Sequence, residues 1–389
     1  MQLPPVPISR RRWLALAGVS PSVLKAAQTV PEKPLLFTGK RPMLVHNDYP
    51  EDLESPPEYF DTWITPNDAF FVRQHLPRPR VSADSYRLEI GGMVTRKVVL
   101  TLDDLKKMPR HRVPATLECA GNGRSYYRPK LPGLQWTKGA IGNAEWAGPR
   151  LKDVLEKAGV PQAAAFADFD GADTGVGQTP DFVRSIPMRK IVDEATIVAL
   201  EMNGEPLPDL HGYPARLIVP GWDGASWVKW LSRITLSDKP DGGFYMNPAY
   251  RMPKHPVAPG TAAQPEDLEI LEGMAVKSFF TRPADRDKVP AGGAILGGVA
   301  WAGEHRVLRV DLSTDGGSRW QPAEMGREDY RFSWRTWRFA WKPSRPGFHI
   351  LCCRAADSAG RTQPIEPAWN PSGYLWNGIE RIGLTVEGS

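Results

Sequence analysis

Cys119 is the only cysteine before position 352. It sits in the run Ala115-Thr116-Leu117-Glu118-Cys119-Ala120-Gly121-Asn122-Gly123-Arg124, between an apolar strand-like stretch and a glycine-rich turn. Arg124, Arg128 and Lys130 follow it, and nearby cations favour the thiolate, the form that attacks carbon or binds a metal. Two chemistries are open. As an acyl-transfer nucleophile Cys119 needs a histidine base and an orienting group, and the sequence does not say which of 7 histidines would serve. As a metal ligand it supplies one soft sulfur, so the other ligands must come from a cofactor.

Other motifs narrow the field by being absent. No Gly-x-Gly-x-x-Gly opens a βαβ unit, and there is no Walker loop, no His-Glu-x-x-His and no Gly-x-Ser-x-Gly elbow. One thiol cannot hold an iron–sulfur cluster, and no Cys-x-x-Cys-His attaches haem, so electrons from a redox reaction would have to leave for another protein. Cys352 and Cys353 are neighbours that point to opposite faces of a strand and read as core packing.

The elements that must position Cys119 follow from punctuation and alternation. With 389 residues, 36 Gly and 39 Pro, the chain reads as at least two domains rich in short strands and turns. Phe70 to Arg73 is expected as a short strand and Tyr86 to Ile90 as an alternating one. Thr101 to Leu105 reads as a short helix with Thr101 as N-cap. Further elements are a helix from Leu151 to Ala158 stopped by Gly159, a buried strand from Ala195 to Met202 ahead of an Asn203-Gly204 turn, and a strand from Arg216 to Pro220. Prolines between Pro253 and Asp267 predict a break. Beyond it the pattern is purely β: Ala294–Trp301, Arg306–Asp311, Trp334–Trp341 and Gly347–Ala355 are strand-length and separated by turns, which indicates an immunoglobulin-like sandwich. A net charge of +5 suits an anionic small substrate or an acidic partner, and no Lys/Arg block interleaved with aromatics points to nucleic acid.

The run around Cys119 resembles the molybdenum-binding segment of the sulfite oxidase family. The likeness continues in Phe71-Val72-Arg73-Gln74-His75-Leu76-Pro77, in Gly133-Leu134-Gln135-Trp136, in Trp146-Ala147-Gly148-Pro149-Arg150-Leu151 and in Glu201-Met202-Asn203-Gly204-Glu205-Pro206. It extends through His211-Gly212-Tyr213-Pro214-Ala215-Arg216, Val228-Lys229-Trp230-Leu231, Arg309 to Gly317 and Trp369-Asn370-Pro371-Ser372-Gly373-Tyr374. The fold implied is α+β: a sulfite-oxidase-type molybdopterin domain over 31–255, followed by an immunoglobulin-like β-sandwich dimerisation domain over 262–389. The family's haem-bearing cytochrome b5 domain has no counterpart here, which makes the chain similar to bacterial periplasmic sulfite dehydrogenases.

The resemblance also implies roles. Cys119 binds the molybdenum of the molybdopterin cofactor. Arg73 faces the substrate anion, for which a planar, always-charged donor is suited, and Tyr250 hydrogen-bonds substrate oxygen or passes a proton. Trp136 walls the anion pocket. Phe71, Val72, Arg73 and His75 contact the cofactor, Asp173 meets the pterin edge, and His211, Arg216 and Lys229 hold its phosphate and ring, with Trp227 and Val228 lending backbone contacts. The implied reaction is oxidation of sulfite to sulfate, with electrons passed to a c-type cytochrome. Alternatives are the sulfane dehydrogenase subunit of a thiosulfate-oxidising system and a non-catalytic binding module. One departure stands out: animal members carry an active-site arginine where this chain has Ser372, so Arg306 or Arg124 is expected to complete the charge. A homodimer is expected from the C-terminal domain.

At the N-terminus, Ser9-Arg10-Arg11-Arg12-Trp13-Leu14 precedes an apolar run ending at Leu24. That run is too short to span a bilayer. Paired arginines before a weakly hydrophobic segment resemble a twin-arginine export signal over 1–30, which implies a periplasmic enzyme exported after taking up its cofactor.

Overall fold

The computed structural model describes residues 37–388, so the expected export signal lies outside the described residues. The first strands, β1 (Leu44–Asp48) and β2 (Glu51–Glu54), form an antiparallel pair. Phe70 to Arg73 is not a strand. Only Val72 pairs, through reciprocal backbone bonds with Leu53 of 2.9 and 2.8 Å. Pro66, Pro77 and Pro79 bracket the segment and deny it the N–H groups and register that a ladder needs.

β3 (Arg87–Gly92) buries Leu88 and Ile90 on alternate positions and pairs with β4 (Val98–Thr101). Helix α1 (Leu102–Lys106) starts at the expected Thr101 cap: the Thr101 hydroxyl accepts from the Asp104 N–H while the Asp104 carboxylate accepts from Thr101 N–H. The long pair β5 (His111–Glu118) and β6 (Ile141–Gly148) delivers Cys119 at its end. β6 is buried on both faces and cannot show period-2 alternation. Helix α2 (Leu151–Glu156) ends before Gly159, which takes a φ of +74°. Then come β7 (Phe166–Gly171), β8 (Val183–Pro187) and α3 (Met188–Ile191).

The expected single strand over Ala195 to Met202 is divided at Leu200 into β9 (Ile197–Ala199) and β10 (Glu201–Met202), which belong to different sheets. β11 (Glu205–Pro206) closes the Asn203-Gly204 turn and β12 (Arg216–Ile218) pairs with β9. β13 (Leu231–Ser237) lies between β3 and β7 in a five-stranded sheet of order β4-β3-β13-β7-β8. A four-stranded sheet, β11-β10-β6-β5, packs with it around one core that includes Phe70, Trp146 and Trp227. With three α-helices of four to six residues among the described residues, the α component of this unit is slight.

The proline-rich stretch after Pro253 is irregular, but its flanks β14 (Arg251–Pro253) and β15 (Leu268–Ile270) pair with each other. The remaining elements are all strands, as expected: β16 (Lys277–Arg282), β17 (Lys288–Val289), β18 (Ala294–Trp301), β19 (Val307–Ser313), β20 (Gln321–Pro322), β21 (Glu324–Met325), β22 (Arg335–Trp341), β23 (Gly347–Asp357) and β24 (Glu380–Val386). They form sheets of order β16-β18-β22-β21 and β17-β24-β23-β19-β20. Phe280, Leu296 and Trp337 of the first meet Val310, Leu351, Cys353 and Leu384 of the second in one core, which is the sandwich arrangement. Both Cys352 and Cys353 are buried and free.

A buried polar knot joins the two units. Lys277 Nζ of β16 lies 3.0 Å from Glu118 Oε1 of β5, Trp301 donates to Glu118 Oε2 at 2.8 Å, and Asn122 donates to Glu118 Oε1 at 2.9 Å. Among the described residues no helix is long and apolar enough to cross a membrane.

Candidate active site

Cys119 extends the β5–β6 ladder by one bond, its N–H donating to the Ala140 carbonyl at 2.9 Å. The chain then turns at once: Asn122 N–H returns to the Cys119 carbonyl at 2.9 Å, and Gly123 takes a φ of +89° that a side chain would strain. Asn122 Oδ1 accepts from Ala140 N–H at 3.1 Å, so the turn that carries the thiol is pinned on both sides. Gly142 matters in the same neighbourhood, because a Cβ there would sit 2.4 Å from the Phe70 ring. That close approach lets the Phe70–Arg73 segment lie against β6.

The thiol opens on a cavity of about 70 Å³. Its walls contain Phe71, Val72, Arg73, His75, Cys119, Asp173, His211, Arg216, Trp227, Lys229 and Tyr250, residues spread over 180 positions in the chain. Trp136 and Val228 are not part of this wall. Trp136 is fully buried and edge-on to His46 at 4.6 Å, and Val228 is buried with its carbonyl accepting from Leu217 N–H. Sequence reading missed Gln74, Phe182 and Trp230 in the wall. Gln74 lay inside the quoted Phe71–Pro77 element at a position whose type carried no charge or nucleophile.

Arg73 is positioned from two sides. Its Nη1 lies 3.2 Å from Asp52 Oδ1 and also meets the Gln74 carbonyl, and its own carbonyl accepts from Lys229 Nζ at 3.1 Å. Burial is the largest influence and works against the charge on Arg73, but Asp52, Tyr250 and Cys119 together outweigh it and move its pKa up. His75 is not on a strand, yet it lines the same cavity, stacked on Phe182 at 4.4 Å with Nε2 2.6 Å from the Tyr250 hydroxyl. Burial, then Arg73, Lys229 and Arg184, push His75 well below the usual imidazole range, while burial and Tyr374 push the Tyr250 phenol well above its own. The pair is therefore a neutral imidazole against a neutral phenol, able to hold a proton at either atom.

The expectation that Arg124, Arg128 and Lys130 make Cys119 a thiolate needs correction. Arg128 and Lys130 are exposed, and Arg128 donates to the Ser125 and Tyr127 carbonyls. Burial pushes the Cys119 thiol up, and the largest opposing charge is Arg73, with Arg124 smaller. A thiol in this position ionises when something more strongly charged than Arg73 faces it, as a metal would.

The opposite end of the cavity is cationic. Arg216 donates to the His211 and Trp227 carbonyls at 3.1 and 3.0 Å, and its Nε has no partner. Lys229 is held over the Trp230 ring at 4.3 Å. Lys40, which sequence reading did not single out and which is not in the wall itself, backs His211, with Nζ 2.6 Å from His211 Nε2 and 2.7 Å from the Asn67 and Phe70 carbonyls. Burial lowers Arg216 to about 9 and both Lys229 and Lys40 to about 7, while burial raises Asp173, beside Lys229, to about 6. Several cations forced together with few carboxylates suit a ligand phosphate.

These residues fit a molybdopterin. Gln74 is buried, and both its amide atoms lack partners, which suits the donor and acceptor edge of a pterin. Among the described residues no group of three or more His, Cys, Asp or Glu could hold a metal by itself. A metal beside Cys119 would need ligands from a cofactor, and the cavity lining supplies cations for one.

Residues 75–245 match the family model described as the oxidoreductase molybdopterin binding domain, and residues 269–387 match the Mo-co oxidoreductase dimerisation domain. The chain is 37% identical to the mitochondrial sulfite oxidase of Rattus norvegicus over 88% of its own length, spanning 65% of that protein. It is 30% identical to sulfite oxidase of Arabidopsis thaliana, covering 84% of this chain and 89% of the plant protein. Among solved structures, the sulfane dehydrogenase SoxCD from Paracoccus pantotrophus superposes with a TM-score of 0.76 at 29% identity, covering 96% of this chain and 99% of that one.

Proposed function

This chain belongs to the sulfite oxidase family, and on that basis we propose that it oxidises sulfite to sulfate and passes the electrons singly to a c-type cytochrome. The observation that carries the proposal is the meeting of Cys119, Arg73 and the His75–Tyr250 pair in one cavity whose far end is cationic. Cys119 is the protein ligand of the molybdenum, which when bound supplies two-electron oxygen-atom transfer.

The chain's own residues bind and orient. Arg73, fixed by Asp52 and the Gln74 carbonyl, presents its remaining N–H groups to the substrate anion without having to reorganise. The Tyr250 hydroxyl donates to a substrate oxygen when His75 Nε2 carries a proton, and can be deprotonated toward His75 in the other tautomer. Lys229, Arg216, His211 and Asp173 anchor the cofactor by phosphate and ring. The likeness to SoxCD favours one second reading, a sulfane dehydrogenase acting with a cytochrome partner. Export by the twin-arginine route and formation of a homodimer belong to the same proposal.

The decisive experiment is sulfite-dependent cytochrome c reduction by protein purified with its metal, beside the Cys119→Ser variant. We expect turnover in the wild type and none in the variant. Turnover with protein-bound sulfane sulfur but not with sulfite would select the second reading, and full sulfite activity in Cys119→Ser would reject the ligand assignment.

A further inference from the structure

Arg184, on β8, is fully buried. Its Nη1 donates to the Tyr245 carbonyl, but Nε and Nη2 have no hydrogen-bond partner. It makes no ion pair among the described residues. The buried carboxylate that senses it, Asp223, accepts from the Ala225 N–H at 2.9 Å and the Ser226 hydroxyl at 3.2 Å and makes no hydrogen bond to Arg184. The Arg184 guanidinium instead lies over Tyr250, 4.9 Å from the ring centroid. Tyr250 stacks on Tyr374 at 5.4 Å with ring planes 3° apart, and Arg124 lies 5.3 Å over Tyr374.

Burial lowers the Arg184 pKa despite the Asp223 charge, and a buried guanidinium with unused donors remains costly unless further negative charge faces it. The Tyr250 ring lies against Arg184, and its hydroxyl is in the cavity wall beside His75. A cation over the ring face draws electron density from the phenol and makes its O–H a stronger donor. In this low-dielectric setting the charge also acts through the ring on an anion beyond it.

The other arginines are engaged elsewhere. Arg124 donates to the Ser372 carbonyl at 3.1 Å and the Leu134 carbonyl at 3.0 Å, and Arg306 is exposed and paired with Asp329 at 3.2 Å. Arg306 therefore does not complete the pocket, while Arg124 commits its Nε to the Ser372 carbonyl and one Nη1 hydrogen to the Leu134 carbonyl.

We propose that Arg184 is a positioning residue of the oxyanion pocket: acting through Tyr250, it strengthens the phenol as donor to a bound tetrahedral oxyanion and supplies charge that position 372 lacks. The proposal rests on the oxyanion chemistry of the proposed function. It is tested with metal-loaded wild type, Arg184→Met, Arg184→Lys, Tyr250→Phe and the Arg184→Met/Tyr250→Phe double variant, each normalised to molybdenum. Sulfate affinity is read by calorimetric titration, and sulfite KM and kcat by cytochrome reduction.

Arg184→Met should weaken sulfate binding and raise KM by about tenfold, with a smaller change in kcat. Arg184→Lys should recover most of the loss. In the Tyr250→Phe background, Arg184→Met should add less than about twofold. Should Arg184→Met fail to fold, Arg184→Gln takes its place with the same expectations. Wild type and Arg184→Met agreeing in sulfate affinity would overturn the proposal, as would the same loss with and without Tyr250, or a wild type that binds no sulfate. An enzyme that binds sulfate but turns over another sulfur substrate leaves these criteria in force, so the two readings fail separately.

Discussion

Charge at single residues sets how the protein responds to pH. Lys229 and Lys40 are lowered to about 7 chiefly by burial, against about 10.4 in an unfolded chain. Between these values the unfolded state binds more protons than the folded one, so stability rises with pH. Cofactor-free protein should gain stability as pH rises from 7 to about 9. Saturating inorganic phosphate should flatten that slope, because a dianion restores the protonated lysines. Urea denaturation across this range checks both, and an unchanged slope in phosphate would contradict the cationic end as a phosphate site. The lone thiol, Arg73, His75 and Tyr250 were legible as residue types in recognisable strings. Gln74, Lys40 and Arg184 were not, since nothing in an isolated amide, lysine or arginine tells whether folding will bury it or what will face it.

Short elements here depend on their ends. Helix α1 has only five residues and begins in a capping box, with Thr101 Oγ1 accepting from Asp104 N–H at 3.1 Å. Thr101→Ala should cost about 1 kcal/mol, seen as a lower denaturant midpoint with unchanged slope, and should leave sulfite turnover intact. This helix was readable because its cap, acidic first turn and apolar positions agreed. The segment Phe70–Arg73 was misread as a strand because its apolar run reflects packing against β6 and the cavity, with a single bridge to Leu53 in place of a ladder. The strand over Ala195 to Met202 was found, but its division at Leu200 depends on two separate sheets claiming its halves.

At the scale of the whole molecule, the second unit supports the first through Lys277 and Glu118, whose side chains are 3% and 6% exposed. Breaking a buried pair leaves an uncompensated charge, and Glu118 keeps the Trp301 and Asn122 donors. Lys277→Met should therefore destabilise by about 3 kcal/mol, measured by equilibrium denaturation. Because Glu118 immediately precedes Cys119, the same variant should retain less molybdenum per chain after purification. Wild-type metal content together with wild-type stability would show that the knot does not support the Cys119 turn.

The sequence by itself determined the two-unit plan, the β character of the second unit and the residue types of the site, because these are written in local alternation, caps and collinear strings. Only the tertiary structure decided which cations go unpaired, that Arg73 rather than Arg124 dominates the charge at Cys119, and that Trp136 lies off the cavity wall. Those outcomes depend on burial and on distances between side chains far apart in the chain, and neither is encoded in any short stretch of residues.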